Sequence, residues 1–527
     1  MNNWLKRHSF PSIIILLFLV LFFFMGYHRL WSAGPQSIHA WRQSDSYAIA
    51  LTYFTENHSF WEPHLLYTGA NGDRQAVSEF PIIYYLVAKI WKITGESPGI
   101  FRLINLLIFW IGLYHLVLLI NHWVKDQFWS FAVLLFLYSS PIIGYYSFNF
   151  TPDVPALGLA LSGLYYLNKY LHNGKITPLI AACLFYTLAS LLRVTALLSL
   201  LSVLSALLIF YRRQQFVSGK KLFELSLSVL FIAGTYFAWN RYANWYNEQH
   251  LSTMFLQEIL PIWRLNAEQI NRIIEWAYRD IVPAYFNQAG LILLFFVFGL
   301  LLIRHKQAPT LLLQFCILFA LGTVAFVLLF FKMLDVHDYS LTFSLIVIPA
   351  VLTAGLIYVR RQNPAWINSR TNKVLTVILL AFLLNSSMVV SRSHYNPHQS
   401  AVRNNFPMEK SKKEYWEYIY WTMELEEFQF KGISNYLREL NITSSDRIIS
   451  LGDYSPNRTL GWMKTQGFTD AFLQGGNLGF FIEECIRAGA KYIVYNENRP
   501  PDLESLAPYL GDQIGQYNKI RIYNIAR

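Results

Sequence analysis

The feature that most constrains this chain is a series of apolar runs, each long enough to cross a lipid bilayer as a helix. A spanning helix needs about 20 mostly apolar residues. Eleven runs meet this description, with the following bounds: 11–31, 99–121, 128–147, 154–172, 177–193, 194–210, 222–240, 289–303, 309–331, 340–359 and 374–390. Only 14% of the 527 residues are charged, against about 25% in an average soluble protein. The sequence therefore predicts a polytopic α-helical membrane protein and excludes a disordered chain.

Residues 177–210 allow two interpretations. The stretch is apolar throughout, except that Arg193 lies near its middle. We predict a tight hairpin of two helices with Arg193 at the turn. One long tilted helix is the alternative, and it would reverse the orientation of every later segment.

The distribution of basic residues predicts the orientation. With eleven crossings and a cytoplasmic N-terminus, the short cytoplasmic segments contain 15 Lys and Arg residues. These segments are 1–10, 122–127, 168–176, 211–221, 304–308 and 360–373. Because cytoplasmic loops carry an excess of Lys and Arg, this pattern supports eleven spans in the inner or plasma membrane. Lys6 and Arg7 followed by an apolar run also resemble a signal peptide, but the length of the run favours an uncleaved anchor.

The C-terminal quarter differs in composition from the rest. Residues 391–527 contain 16 basic and 16 acidic residues, whereas residues 1–390 contain 27 basic and 16 acidic residues. The basic excess thus lies beside membrane helices, which argues for membrane orientation and against a nucleic-acid partner. We predict a transmembrane catalytic module over 1–390, a connector over 391–428 and a soluble domain over 429–527.

Helix and strand patterns alternate in the predicted soluble domain. Helical patterns cover 429–440 and 477–489, and the strand-like runs are Arg447–Gly452, Lys491–Tyr495 and Lys519–Ile525. This alternation predicts a small α/β domain, which lies outside the cytoplasm if the number of spans is odd. Asp453–Asn457 follows the first strand, where ligands of α/β proteins often bind. A helix-capping turn is the simpler account of these residues.

Two further segments are predicted to lie outside, at 32–80 and 241–287. The second contains apolar residues at helical spacing, namely Trp263, Ile270, Ile273, Ile274, Trp276, Ala277 and Ile281. They predict an amphipathic helix that either lies on the membrane surface or packs against the helix bundle.

Ionisable residues cluster at the outside ends of the predicted spans. Such residues at membrane depth are costly and usually functional. The candidates are Arg42, Asp45, Glu79, Asp153, Arg193, Lys332, Asp335, His337, Asp338 and Tyr339. Any one of them could be an ordinary loop residue near lipid headgroups. Three separate outside loops each supply a carboxylate, however, which favours a site at the boundary between membrane and water.

These residue types indicate a definite chemistry. A carboxylate can act as general base toward a hydroxyl group or hold a divalent cation, and Arg and Lys can bind a phosphate leaving group. A donor with a lipid tail would place its phosphate at this depth. Metal binding by Glu79 or His337 has less support, because no short ligand motif surrounds either residue.

At these residues the sequence resembles the GT-C glycosyltransferases. The resemblance rests on Asp45 in the first outside loop, Glu79-Phe80-Pro81, Pro152-Asp153 and His337-Asp338-Tyr339. It covers about residues 30–390 by layout, and a small α/β domain after the last span also fits. The relatives it suggests are bacterial proteins related to the protein O-mannosyltransferases and the lipid A aminoarabinose transferase.

The resemblance implies an inverting transfer of a sugar from a polyprenyl-phosphate donor to an acceptor outside the cytoplasm. The acceptor would be a lipid, a glycan or a protein. By position, the catalytic carboxylate maps to Asp45, a second acidic residue to Asp153, and a residue near a metal ion to Glu79. Residues that contact the donor phosphate or line the cavity map to Arg42, Arg193, Lys332, His337 and Tyr339.

Two other functions remain open from the sequence. A flippase for a lipid-linked glycan would be expected to show repeated halves and polar residues at the centre of the bilayer, and neither is evident. A glycan polymerase or ligase would be expected to use a large late outside loop, and 241–287 keeps this alternative open.

Overall fold

The computed structural model describes residues 2–69, 72–214, 219–252, 254–255, 259–395, 410–473 and 476–526. Helices dominate these residues, and a single five-stranded sheet lies near the C-terminus of the described chain. The chain forms two compact units. The first comprises 1–29, 102–239 and 257–392, and the second comprises 30–101, 240–256 and 393–527.

Up to residue 395 the described chain contains seventeen α-helices. They are α1 (Asn2–Met25), α2 (Ala40–Thr55), α3 (Ile82–Thr94), α4 (Pro98–Val124), α5 (Gln127–Tyr138), α6 (Pro141–Tyr146), α7 (Asp153–Asn173), α8 (Ile176–Leu192), α9 (Leu197–Gln214), α10 (Gly219–Gln249), α11 (Ala267–Trp276), α12 (Val282–Tyr285), α13 (Gln288–Ile303), α14 (Thr310–Leu329), α15 (Val347–Gln362), α16 (Pro364–Asn368) and α17 (Arg370–Tyr395). Six further helices follow in the described chain. They are α18 (Lys410–Leu425), α19 (Glu427–Phe430), α20 (Ile433–Glu439), α21 (Arg458–Met463), α22 (Leu478–Arg487) and α23 (Leu503–Leu506).

Each of the eleven predicted spans coincides with helical structure, but the number eleven is not confirmed. Among the described residues, five helical segments are long and apolar enough to cross a membrane: α4, α10, α14, α17 and Asp338–Gln362. A sixth arises if Ala267–Tyr285 and Gln288–Ile303 form one span with a bend of 89°. The other predicted spans contain shorter or more polar helices. Several apolar helices capable of spanning a bilayer nonetheless make this a membrane protein.

The predicted break at Arg193 is present. Helix α8 ends at Leu192, Arg193 is extended, and α9 begins at Leu197 after a short 3₁₀ turn. The hydroxyl groups of Tyr186 and Ser199 lie 3.2 Å apart. In one straight helix these residues would be about 20 Å apart along the axis, so the two helices fold back beside each other.

Close packing of α4 against α7 positions the turn before Asp153. At Gly112, a Cβ atom would lie only 2.2 Å from the carbonyl oxygen of Gly158, so only glycine permits this approach of the two helices. Near the start of α4, the Asn105 side chain donates a hydrogen bond of 2.8 Å to the carbonyl oxygen of Asn149. The turn that leads into α7 is thereby attached to the neighbouring helix.

The second unit contains the sheet. Its strands are β1 (Arg447–Leu451), β2 (Gln466–Thr469), β3 (Ala490–Asn496), β4 (Leu510–Tyr517) and β5 (Ile520–Ile525), in the spatial order β2-β1-β3-β5-β4. β1 pairs in parallel with β2 and β3, whereas β5 is antiparallel to β3 and β4. Buried side chains of β1, β3 and α22 form a core that includes Ile449, Ile482 and Ile493.

The three strand-like runs of the sequence are β1, β3 and β5, whereas β2 and β4 were not predicted. The predicted connector over 391–428 lies partly outside the described residues. In the segment 241–287, the predicted helix is α11, which begins with a capping box of Asn266 and Gln269. Ile273 is buried, whereas Trp263, in a 3₁₀ turn before the helix, is exposed.

Candidate active-site carboxylates in two units

Asp45 lies on α2, a helix that is buried along most of its length. Residues 43–53 of this helix are all buried, and Asp45 itself is only 3% exposed. Gln43 fixes the start of the helix, because its side-chain amide donates to the carbonyl oxygens of Gln36 and Ile38 at 2.9 and 2.8 Å. The catalytic candidate therefore projects from a rigid element.

The nearest partner of Asp45 is an amide from the C-terminal region. Asn457 Nδ2 donates a hydrogen bond of 2.8 Å to Asp45 Oδ1, and no other hydrogen bond to this carboxyl group occurs among the described residues. Burial raises the pKa of Asp45 to about 6, while Arg42 and the hydrogen bond from Asn457 act in the opposite direction. The carboxylate is thus a stronger base than an exposed aspartate, and Oδ2 is left to accept a proton.

Asn457 is itself held on both sides. Its Oδ1 accepts hydrogen bonds from the backbone N–H groups of Leu66 and Tyr67 at 3.1 and 3.0 Å. It belongs to the turn between β1 and α21, which the sequence offered as a ligand site or a helix-capping turn. Its side chain links the first predicted outside loop to the C-terminal sheet region within the second unit.

Buried charges stabilise this turn. The fully buried Asp453 accepts hydrogen bonds from the backbone N–H groups of Ser455 and Thr459 at 3.0 and 2.8 Å. Arg458 Nη2 lies 3.4 Å from Asp453 and 2.5 Å from Glu426. Burial raises the pKa of Glu427, another neighbour of Arg458, to about 7. Removing Arg458 would take this counter-charge from the buried Asp453 and Glu427, whereas Glu426 would keep its ion pair with Arg499.

Arg42 and Glu79 form an ion pair beside Asp45. Arg42 Nη2 binds Glu79 Oε1, and Nη1 donates to Ser46 Oγ at 3.1 Å. The hydroxyl groups of Tyr84 and Ser78 also donate to Glu79. The Glu79 carboxylate is therefore occupied by a cation and two hydroxyl groups, and a metal ion there would have to compete with Arg42.

Asp153 and Arg193 form an ion pair in the first unit. Arg193 Nε lies 2.8 Å from Asp153 Oδ1, and Nη2 lies 3.1 Å from Oδ2. Asp153 is the first residue of α7, where the helix dipole also stabilises a carboxylate. The residual cavity of about 10 Å³ beside the pair holds one water molecule at most.

Tyr339 lies beside this ion pair. The Arg193 guanidinium is 5.8 Å from the centre of the Tyr339 ring, and the Tyr339 hydroxyl is 3.0 Å from His337 Nδ1. The structure thus brings together four predicted site residues: Asp153, Arg193, His337 and Tyr339. Lys332 is exposed and takes part in no ion pair among the described residues.

Asp335 and Asp338, which lie in the same loop as His337 and Tyr339, bind residues outside this group. Asp338 Oδ1 accepts a hydrogen bond of 2.6 Å from the Tyr146 hydroxyl, and Asp335 binds Arg272 at 2.6 Å. Both carboxylates are therefore held by partners that sequence reasoning did not assign to them.

Within the described ranges, one group of side chains is close enough to hold a metal ion. It consists of Glu56, His58 and His64, whose ligand atoms all lie within 4.8 Å of one another. Burial and the charge of His64 lower the pKa of His58 to about 4. Although burial alone would raise the pKa of Glu56, its hydrogen bonds to His64 and Arg74 lower it to about 2. Glu79 and His337, the metal candidates of the sequence, are not members of this group.

Comparison with known proteins agrees with the resemblance seen in the sequence. Residues 78–239 match the family model described as dolichyl-phosphate-mannose-protein mannosyltransferase. No curated protein matches the chain by sequence. The structure is similar to the crystal structure of ArnT from Cupriavidus metallidurans bound to undecaprenyl phosphate, with a TM-score of 0.60, 11% identity and 98% of each chain covered. For the apo state of the same protein the TM-score is 0.57, again with 11% identity and 98% of each chain covered.

The two kinds of comparison are complementary. At 11% identity the structural match shows a shared fold, whereas the family model matches the sequence itself over part of the chain. Together they show that residues 78–239 are similar in sequence to the mannosyltransferase family model and that the chain shares the fold of ArnT.

Proposed function

We propose that this protein is a membrane glycosyltransferase that moves a sugar from a polyprenyl-phosphate donor to an acceptor on the extracytoplasmic side. The family model that matches residues 78–239 describes an enzyme with a lipid-phosphate sugar donor. ArnT, which shares the fold, was crystallised with undecaprenyl phosphate. Both findings support a lipid-linked donor for this chain.

The observation that carries the proposal is the environment of Asp45. Its carboxylate lies on a buried helix, one oxygen is held by an amide, and its pKa is raised to about 6. A general base works best when its pKa is near the operating pH. An exposed aspartate would be a weaker base, and one paired directly with a guanidinium would be weaker still.

The proposed reaction is an in-line displacement at the anomeric carbon of the donor sugar. Asp45 Oδ2 accepts the proton of the acceptor hydroxyl as its oxygen forms the new glycosidic bond. The bond from the anomeric carbon to the phosphate oxygen breaks on the opposite face, which inverts the configuration and releases polyprenyl phosphate. Asp45 leaves the step protonated and returns its proton to water.

Asn457 is the proposed positioning residue for this base. It directs Oδ1 away from the reaction, and it stabilises the ionised carboxylate through a hydrogen bond to a charged group. The C-terminal region would thereby contribute to catalysis without contacting the substrate.

The donor phosphate needs cationic contacts, for which Arg42, Arg193 and Lys332 are the candidates. Arg42 and Arg193 already bind Glu79 and Asp153, respectively. A phosphate at either guanidinium would share it with the carboxylate or displace that carboxylate. Lys332 is exposed and can approach a phosphate without breaking an ion pair among the described residues.

The finer topology is part of the proposal. We propose eleven spans in the inner or plasma membrane, with the first outside loop and the C-terminal α/β domain extracytoplasmic. The positive-inside distribution of the short loops and the helix break at Arg193 support this arrangement.

The test is transfer from a radiolabelled polyprenyl-phosphate sugar in membranes that contain the protein. We expect label to pass to an extractable acceptor with the wild type and not with Asp45→Asn at equal expression. A nucleotide-sugar donor should give no transfer. If Asp45→Asn keeps full activity, the assignment of the base is wrong. If the wild type transfers nothing from a panel of such donors but moves labelled lipid-linked glycan across vesicles, a flippase is the better description.

A further inference from the structure

We propose that Glu56, His58 and His64 bind a divalent transition-metal ion, best matched by Zn²⁺, at the C-terminal end of the helix that carries Asp45. This site is separate from Glu79 and does not depend on the proposed transfer reaction. Glu56 directly follows α2, and the two histidines lie in the loop after it.

The ligand atoms of the three side chains lie within 4.8 Å of one another. His64 Nδ1 is 3.1 Å from Glu56 Oε2 and donates a hydrogen bond to it, so this nitrogen would give up its proton if it bound the ion. Ligand atoms around a tetrahedral zinc ion with bonds of about 2.0–2.1 Å are about 3.4 Å apart. Binding therefore requires side-chain adjustments of about an ångström, without rearrangement of the backbone.

One nitrogen of the His58 imidazole lacks a hydrogen-bond partner among the described residues. This nitrogen, Nε2, is buried. The other nitrogen, Nδ1, lies 3.4 Å from the carbonyl oxygen of Ser59. A proton on Nδ1 directed at this carbonyl leaves the lone pair on Nε2, which is the usual arrangement of a metal-bound histidine.

The surroundings hold the two rings in place. The His58 and His64 rings stack with centres 4.1 Å apart, and the Tyr53 ring lies 4.4 Å from His58. Thr52 Oγ1 donates a hydrogen bond of 2.8 Å to the carbonyl oxygen of His64. The loop is thus attached to α2, and a bound ion would strengthen this connection.

Arg74 sets the expected strength of binding. Its two Nη atoms each donate a hydrogen bond of 2.7 Å to Glu56. A carboxylate can keep such bonds while it also binds a metal ion, since each oxygen accepts more than one partner. The guanidinium charge nevertheless opposes a cation nearby, so affinity should be lower than at a four-ligand structural zinc site.

The ligand set determines which metals fit. Imidazole nitrogen suits zinc and copper, whereas Mg²⁺ and Ca²⁺ prefer sites made of oxygen. Three protein ligands leave the fourth tetrahedral position for water.

The experiment uses the full-length protein in detergent, with any affinity tag removed and metals stripped by a chelator. Zn²⁺ is titrated by calorimetry, and Co²⁺ is added separately to record the absorption bands of a tetrahedral site. We expect one Zn²⁺ per chain, no competition from excess Mg²⁺, and tetrahedral Co²⁺ bands. His64→Asn and His58→Gln should each weaken Zn²⁺ binding at least tenfold, and Arg74→Gln should strengthen it.

The matched control is His250→Asn, since this histidine of the same unit pairs with Asp73 outside the cluster. It should bind Zn²⁺ like the wild type. Equal Zn²⁺ binding by wild type, His64→Asn and His58→Gln would overturn the proposal, as would octahedral Co²⁺ bands. Two separate histidine variants are used, together with a check of folding by thermal unfolding, so that a misfolded variant is not taken as support.

Discussion

Asp45 and Asp153 are both buried carboxylates, but they are held by different kinds of partner. Asp153 forms an ion pair with the Arg193 guanidinium, in which Nη2 donates a hydrogen bond to Oδ2 and Nε lies 2.8 Å from Oδ1. Asp45 accepts a hydrogen bond from the neutral amide of Asn457, and burial raises its pKa to about 6. Burial raises the pKa of Asp45 although Arg42 and the hydrogen bond from Asn457 lower it, so this carboxylate can take up a proton near pH 6. The environments of the two groups therefore suggest different roles, with proton transfer at Asp45 and charge pairing at Asp153.

The largest effect should come from removing the base. Asp45→Asn keeps the shape and removes the proton acceptor, so we expect kcat to fall by roughly 10²–10⁴-fold. Donor binding should change little. The control is Asp73→Asn, which removes a more exposed carboxylate of the same unit. If the Asp45 variant loses no more activity than this control, Asp45 is not the base and the contrast with Asp153 is wrong.

A double-mutant cycle tests whether Asp153 acts mainly as a partner of Arg193. Arg193→Gln leaves a buried carboxylate unpaired and should cost about 1–3 kcal/mol of stability, less than a fully buried pair because Arg193 is 29% exposed. Asp153→Asn in the same chain should recover much of this loss. Thermal unfolding of the four proteins measures the coupling. Strictly additive losses would mean that the two side chains act separately.

Removing the amide that holds Asp45 should change the pH dependence of transfer. The hydrogen bond from Asn457 favours the ionised carboxylate, so Asn457→Leu should raise the pKa of Asp45 by about one unit, equivalent to about 1.4 kcal/mol. The pH range over which kcat rises should then move to higher pH. Asn435→Leu, which alters an exposed asparagine on α20, is the control. If kcat falls but the pH range over which it rises is unchanged, Asn457 has a purely structural role.

The smallest effect should come from the network around Glu79. Tyr84→Phe removes one hydroxyl donor to Glu79 and leaves Arg42 in place. A single hydrogen bond contributes about 0.5–1.5 kcal/mol, so we expect kcat to fall by less than about tenfold. Tyr85→Phe is the control, because its ring packs against Tyr53 and Phe60. A loss as large as that of Asp45→Asn would mean that Glu79 and Tyr84 take part in proton transfer.

Local patterns in the sequence predicted much of the helical structure. Apolar runs of about 20 residues predict membrane-spanning helices, and a single arginine in such a run is costly enough to mark a turn, as at Arg193. The sequence does not predict strands β2 and β4, because neither has a clear alternating pattern of apolar and polar residues. β2 is four residues long and contains Gly467, and β4 is rich in Gly and Gln. The sequence contains no signal for their pairing.

The sequence points to the candidate residues more clearly than to their partners. Asp45, Asp153 and Arg193 stand out as candidates because charges near apolar runs are costly. The hydrogen bond between Asp45 and Asn457 joins residues 412 positions apart, and no local pattern encodes such a contact. The sequence signal is the position of Asp453–Asn457 after a strand, which predicts a ligand site or, more simply, a helix-capping turn, and not support for a carboxylate. The cluster of Glu56, His58 and His64 gives no signal in the sequence because its spacing matches no common metal-binding motif.

The most direct test of the central claim, that Asp45 is the base, is the pH dependence of kcat for the wild type and Asp153→Asn. Because an elevated pKa keeps Asp45 protonated at low pH, transfer should rise with pH through a midpoint near 6 in the wild type. The midpoint should be unchanged in Asp153→Asn, even if its activity is lower. A wild-type midpoint near 4, the ordinary value for an exposed aspartate, or a midpoint that disappears in Asp153→Asn, would contradict the account.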